Sequence, residues 1–211
     1  MFKLKDVKFK NILNIKDIEL AEKMITAILG SSGGGKTTFL KLLNNMITAD
    51  QGIIKYKEEE IESYDPVKLR REVVMLPQDP IIFKGTIKEN FELTEEITGN
   101  RVSENLNYNQ LLNKVSLTQN LDDSADNLSG GEKQRLALAR VMLLEPKVLL
   151  LDEPSSSLDK ITEEKIINMV VDYAKENDRT LIMVTHSPEI AEKFADKIIN
   201  IENGEIIQWN F

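Results

Sequence analysis

Alternation of polar and apolar positions opens the chain. Residues 2–9 (FKLKDVKF) alternate and predict a strand, and residues 15–20 (IKDIEL) alternate again and predict its partner. Residues 24–29 (MITAIL) form a continuous apolar run ending in glycine, which predicts a strand buried on both faces. A glycine-rich loop follows at 30–35, then a helix over 37–46 with Phe39, Leu40, Leu42 and Leu43 on its core side. Gln51 and Gly52 predict a turn before another strand, IIKY. Asp65-Pro66 places proline behind an N-cap, which predicts a short helix at 66–71 running into a strand at 72–76. Residues 77–85 read as loop, and Thr86 with Glu89 forms a capping box that opens a helix over 86–91. Residues 94–127 are polar, with a helix predicted near 103–115. Two further apolar runs, 148–151 (VLLL) and Thr180–Val184 (TLIMV), predict fully buried strands, with helices at 162–176 and Pro188–Phe194. Residues 197–201 and 205–209 flank Glu202-Asn203-Gly204, a hairpin signal. Buried strands alternating with helices predict an α/β protein with a parallel core.

The stretch 128–140, LSGGEKQRLALAR, stands apart. Ser129 and Glu132 form a second capping box, and an apolar helical pattern continues through Leu136, Leu138 and Val141 towards Glu145-Pro146. Gly130 and Gly131 sit in the first turn, where each costs about 1 kcal/mol relative to alanine in a helix interior. Bare backbone N–H groups at the positive end of a helix suit the close approach of an anion. An ordinary capped helix with a loose first turn fits this stretch equally well when it is read alone.

Composition narrows the picture. The 211 residues and 41% hydrophobic content suit one large domain. A net charge of −8 argues against a nucleic-acid partner, which would leave a basic footprint. The absence of cysteine excludes disulfides and thiolate metal sites, and a single histidine, His186, excludes a multi-histidine site. No apolar run approaches the roughly 18 residues of a membrane span, and the N-terminus MFKLKDVKFK has no signal-like apolar stretch. The expectation is an acidic, soluble, intracellular protein whose membrane role, if any, comes through a partner.

Residues 30–37 (GSSGGGKT) match the phosphate-binding pattern G-x-x-x-x-G-K-(S/T), between a predicted strand and a predicted helix. Gly30, Ser31, Ser32, Gly33, Gly34 and Gly35 would turn N–H groups towards phosphate oxygens. Lys36 would neutralise β/γ oxygens, the Thr37 hydroxyl would bind Mg²⁺, and Thr38 would lie near the α-phosphate. Asp152 ends a buried strand, at the sheet edge where ligands of open α/β sheets bind, and would hold Mg²⁺, partly through water. Glu153 could accept a proton from an attacking water. Gln78 follows the strand ending at Leu76 and is either a polar loop residue or an amide on Mg²⁺. His186 lies just past TLIMV, at the same edge as Asp152 and Glu153. The guanine signature N-K-x-D is absent.

Together these residues resemble the ATP-binding-cassette ATPases, over essentially the whole chain and in the family's order: Walker A at 30–38, the Q-loop glutamine Gln78, the signature LSGGE at 128–132, Walker B at Val148–Asp152 followed by Glu153, the D-loop Ser157-Leu158-Asp159, and the H-loop His186. The resemblance implies one cassette over 1–211. It would contain a P-loop core (24–48 and 146–211), an antiparallel β subdomain (mainly 1–23 and 50–76) and a helical subdomain (about 79–145) carrying the signature. It implies ATP and Mg²⁺ as cofactors and head-to-tail homodimers with two ATP molecules between the copies. Residues 30–38 of one copy would bind ATP, and Ser129, Gly130 and Gly131 of the other would cap its γ-phosphate. Glu153 would be the general base, His186 would hold the water–Glu153 geometry, and Asp159 would couple the two sites.

Adenine in this family stacks on an aromatic residue upstream of the P-loop. Here Asn11 stands about where a tyrosine is expected, and Phe9 is either the stacking ring or a core residue. DPIIFKGTIKENF after Gln78 is similar to exporter cassettes and some stand-alone ones, which implies that Phe83 lines a groove for a membrane subunit. DDSADN before the signature departs from fused multidrug-type exporters, and Ser157 stands where alanine is usual, so the chain is most similar to short stand-alone cassettes, including the metal-export type. The sequence stops soon after the strand predicted at 205–209, so no regulatory C-terminal domain is expected. The resemblance also implies an ATPase subunit on the inner face of the cell membrane, bound to a separate permease. The alternative is a soluble or mechanotransmitting ATPase not coupled to transport.

Overall fold

The computed structural model of the protein describes residues 1–99, 107–155 and 159–210. Strands β1 (Phe2–Phe9), β2 (Leu13–Leu20), β4 (Gln51–Tyr56) and β5 (Glu59–Glu60) form an antiparallel sheet in the order β2-β1-β4-β5. Strands β3 (Ile25–Leu29), β6 (Val73–Leu76), β7 (Val148–Asp152), β8 (Thr180–Val184), β9 (Lys197–Glu202) and β10 (Glu205–Asn210) form a second sheet, in the order β10-β9-β3-β8-β7-β6. It is parallel except at the β9–β10 hairpin.

The continuous apolar runs are explained by burial on both faces. On β7, Leu149 and Leu151 face one core cluster, while Val148 and Leu150 face the other. The first cluster is closed by helices α5 (Gly130–Leu143), α6 (Lys160–Glu176) and α7 (Pro188–Phe194). The second takes in helix α1 (Lys36–Leu43) and the inner face of the antiparallel sheet. Helix α2 (Pro66–Glu72) lies between the sheets in sequence, and α3 (Ile87–Thr98), α4 (Tyr108–Lys114) and α5 lie together between β6 and β7. Among the described residues, no helix is long and apolar enough to cross a membrane.

Four expectations change. Gln51 and Gly52 belong to β4 and do not form a turn. Opposite them the β1 register shifts between Lys5 and Lys8, with Asp6 at φ 51°. Gly52 has φ 90°, and a Cβ there would lie 2.3 Å from the Asp6 carbonyl oxygen, so this bulge needs glycine. Residues 73–76 leave the antiparallel group and form β6, because all four pair in parallel with β7. The helix expected near 103–115 is observed as α4, starting at Tyr108 behind an Asn107 N-cap, and residues 103–106 lie outside the described residues. Strand β2 also begins at Leu13, earlier than the alternation signals.

Candidate nucleotide site

Strand order gathers the predicted residues. β3, β8, β7 and β6 are consecutive in the sheet and run the same way. Their carboxyl ends therefore bring the 30–35 loop, His186, Asp152 with Glu153, and Gln78 to one edge. Cross-links lock these ends together. Thr185 N–H donates to the Ile28 carbonyl at 3.2 Å, and Glu153 N–H donates to the Val184 carbonyl at 3.2 Å.

The 30–35 loop is held against the β9–β10 hairpin. Gly204 N–H donates to the Gly34 carbonyl at 3.1 Å, and a Cβ on Gly30 (φ 141°) would sit 1.9 Å from the Ile201 carbonyl oxygen. Ser31 and Ser32 are exposed, and Thr37 and Thr38 are half-buried at the start of α1. Lys36 is only 5% exposed, and its ammonium curls back over the loop. It donates to the Gly30 carbonyl at 2.9 Å and the Ser31 carbonyl at 2.8 Å. An ammonium has three protons, so one remains for an anion in the loop.

Asp152 is 2% exposed. Burial pushes its carboxyl up from the ordinary value; a hydrogen bond with the Thr37 side chain opposes this, and the Glu153 charge adds to it. One oxygen, Oδ1, is buried with no hydrogen-bond partner. An orphan carboxylate oxygen beside a threonine hydroxyl fits a hard cation that keeps much of its water shell, as Mg²⁺ does. Among the described residues no group of three or more His, Asp or Glu side chains gathers that could hold a metal ion.

Glu153 has φ 51°, a conformation that β-strand ends rarely impose on a non-glycine residue. It turns the side chain out of the strand line to meet two partners. Gln78 Nε2 donates to Glu153 Oε2 at 2.9 Å, and His186 Nε2 lies 2.6 Å from Glu153 Oε1. Both carboxylate oxygens are therefore oriented, from β6 on one side and β8 on the other. A cavity of about 600 Å³ opens beside Glu153 and His186, between the starts of α6 and α7.

The remaining predicted residues lie further out. Phe9 ends β1, packs partly buried on the second core cluster, and has Lys10 Nζ 5.2 Å from its ring centre. A cavity of about 350 Å³ at the β1–β2 turn is lined by Lys10, Asn11, Ile12 and Asn203 rather than by Phe9. Asp159 caps α6, accepting from the Ile161 and Thr162 N–H groups at 3.1 Å and the Thr162 hydroxyl at 2.7 Å. Ser157 and Leu158 lie outside the described residues. Ser129 caps α5 through the expected box with Glu132. Among the described residues no hydrogen bond joins this box to the 30–38 loop, and its bonds run to Glu132 and Gln119.

Sequence reasoning missed Arg140. It donates to the Ile81 carbonyl at 2.7 Å and the Thr94 hydroxyl at 2.9 Å, and its guanidinium lies 4.3 Å from the Phe83 ring centre. Burial pushes its pKa down to about 10. It clasps the loop after Gln78, with Ile81 74% exposed, to the helix that begins at the signature. An arginine inside the apolar run LALARVML was the available signal.

The sequence pattern of the ABC transporter family matches residues 13–156. The chain is 36% identical over 198 residues to ABC transporter I family member 17 of Arabidopsis thaliana, covering 93% of this chain and 75% of that protein. It is 36% identical over 212 residues to the phosphate import ATP-binding protein PstB of Bacillus cereus, covering 92% of this chain and 77% of that protein. Among solved structures, the dimeric post-hydrolysis state of the ATP-binding cassette MJ0796 bound to ADP and Pi superposes with a TM-score of 0.85 at 26% identity, over 100% of this chain and 98% of that one.

Proposed function

The chain belongs to the ATP-binding-cassette transporter family and is an ATPase of that family, and on that premise we propose that it powers a membrane transporter by closing head to tail on a second copy around ATP. The observation that carries the reading is the placement of Glu153. It is a carboxylate oriented by Gln78 and His186 at the sheet edge shared with the phosphate loop.

In this reading the 30–38 loop binds the phosphates through its N–H groups and the remaining Lys36 proton. Thr37, Asp152 and the Gln78 side-chain carbonyl would hold Mg²⁺, which when bound would offset the charge on the phosphates. Glu153 takes a proton from the attacking water, and His186 fixes the carboxylate while reaching the γ-phosphate. Ser129, Gly130 and Gly131 of a second copy complete the site, and Asp159, at the start of α6, lies where one site can sense the other. The MJ0796 cassette is a dimer in the structure that covers this chain end to end, which supports this arrangement.

The transporter half of the proposal rests on the names of the relatives and on the surface around Ile81 and Phe83, which fits a segment of a permease at the inner membrane face. An ATPase not coupled to transport is the competing reading. Co-purification of a membrane subunit that is lost on Phe83→Asp separates the two.

The catalytic half is tested with Glu153→Gln. ATP binding is expected to persist while turnover falls on the order of 100-fold or more, as for loss of a general base, and a dimer accumulates with ATP. Hydrolysis at the normal rate would remove Glu153 from that role.

A further inference from the structure

The Ser129 hydroxyl has one proton to give, and the fold has committed it. Ser129 Oγ donates to Glu132 Oε2 at 2.6 Å, and the same carboxylate oxygen accepts the Ser129 N–H at 2.8 Å. The return bond of the capping box, from Glu132 N–H to Ser129 Oγ, is long at 3.4 Å. Ser129 in turn holds the Glu132 carboxyl below the usual glutamate range, so it is charged at neutral pH. The other oxygen, Glu132 Oε1, accepts from Gln119 Nε2. Gln119 Oε1 is buried with no partner among the described residues. Gly130 next door is open, since a Cβ placed there meets nothing within 4 Å.

An anion arriving at this helix start therefore finds free backbone N–H groups. The serine, however, presents lone pairs, with a carboxylate behind them. A phosphate oxygen at hydrogen-bond distance from the hydroxyl would stand roughly 5 Å from that carboxylate. The two like charges repel, and they compete for one proton.

We propose that Glu132 is a positioning residue that competes with the γ-phosphate of the opposite copy's ATP for the Ser129 proton, and so keeps the ATP-driven dimer weaker than the signature would otherwise make it. This rests on the reading that Ser129 meets the phosphate in trans. Glutamine at this position keeps the cap and removes the charge. Its amide oxygen can still accept the Ser129 N–H, and its NH₂, which replaces the oxygen that accepts from Gln119 Nε2, pairs with Gln119 Oε1 once the Gln119 amide turns over. The hydroxyl is then released to the phosphate, because a neutral amide is the weaker acceptor.

Sedimentation velocity with Mg-ATP in the Glu153→Gln background provides the test. Glu132→Gln is expected to tighten the dimer on the order of tenfold, about the contribution of one charge-assisted hydrogen bond. The melting temperature without nucleotide should hold. Ser129→Ala is expected to weaken the dimer on the order of tenfold in the E132Q background but only about twofold where Glu132 is retained. An unchanged or weaker dimer with E132Q, or an equal effect of Ser129→Ala in both backgrounds, overturns the proposal. If E132Q lowers the melting temperature, Ser129→Ala with Glu132 retained decides alone. A loss of about tenfold there means the hydroxyl already serves the phosphate, and the idea is wrong; a loss of about twofold upholds it. If the Glu153→Gln chain itself stays monomeric with ATP, the in-trans reading falls and this proposal with it.

Discussion

Gly30 carries a constraint that no other residue type meets. Its φ of 141°, and the 1.9 Å that would separate a Cβ from the Ile201 carbonyl oxygen, leave no room for a side chain. Gly30→Ala must push apart the phosphate loop and the strand beneath it. We expect a stability loss of about 3 kcal/mol or more, read as a fall in the denaturant midpoint, together with loss of ATP binding. An alanine chain of normal stability would mean that the loop is not seated on Ile201. The glycine pattern told where the loop lies, but not that its first glycine is wedged against β9, at the far end of the chain. The same holds for the bond from Gln78 to Glu153, which spans 75 positions. Residue types at strand ends reveal which edge they share. Which of them touch depends on strand order, and local periodicity does not encode strand order. Thus Gln78 was readable as a cation ligand, while its amide nitrogen is given to the glutamate.

The elements were legible where burial imposes a simple period, as at VLLL and TLIMV, and less so where two sheets meet. Gly52 reads locally as a turn because glycine does mark turns, yet here it relieves a bulge opposite Asp6. Glu72, the last residue of α2, shows how the two sheets are tied. It accepts from the Tyr56 hydroxyl at 3.1 Å and Lys57 Nζ at 2.6 Å, on the side of the antiparallel sheet. It also accepts from Lys147 Nζ at 3.2 Å, just before β7. Burial raises its carboxyl, but the bonds from Lys57 and Lys147 outweigh that and leave it below the ordinary 4.5. A carboxyl whose folded value is depressed stabilises the fold above its unfolded value, and that contribution is lost as pH falls through the folded value. The group is partly exposed, so Glu72→Gln should cost only about 1 kcal/mol at pH 7. The gap between the two proteins should close as the pH falls well below 4.5. Denaturant midpoints across that range check this. A gap that stays constant would assign the whole loss to packing.

At the scale of the whole molecule, the signature and the phosphate loop belong to one chain but share no hydrogen bond among the described residues. In the proposed function the LSGGE run is one half of an anion site, and half a site read alone fits a plain capped helix equally well. Ser129→Arg separates the halves. The larger side chain fills the approach to the open Gly130, and losing the serine cap costs about 1 kcal/mol of stability. The fold should survive, because the contacts of the phosphate loop lie elsewhere, on Ile201, Gly204 and Lys36. Mg-ATP should therefore still stabilise the variant by mass action, about 2.7 kcal/mol at a hundredfold excess over Kd, as it does the parent. Dimerisation with ATP and turnover should both be lost. Retention of both would show that the signature does not meet the nucleotide of another copy. Loss of ATP stabilisation along with them, in a folded chain, would instead place the signature within its own subunit's site.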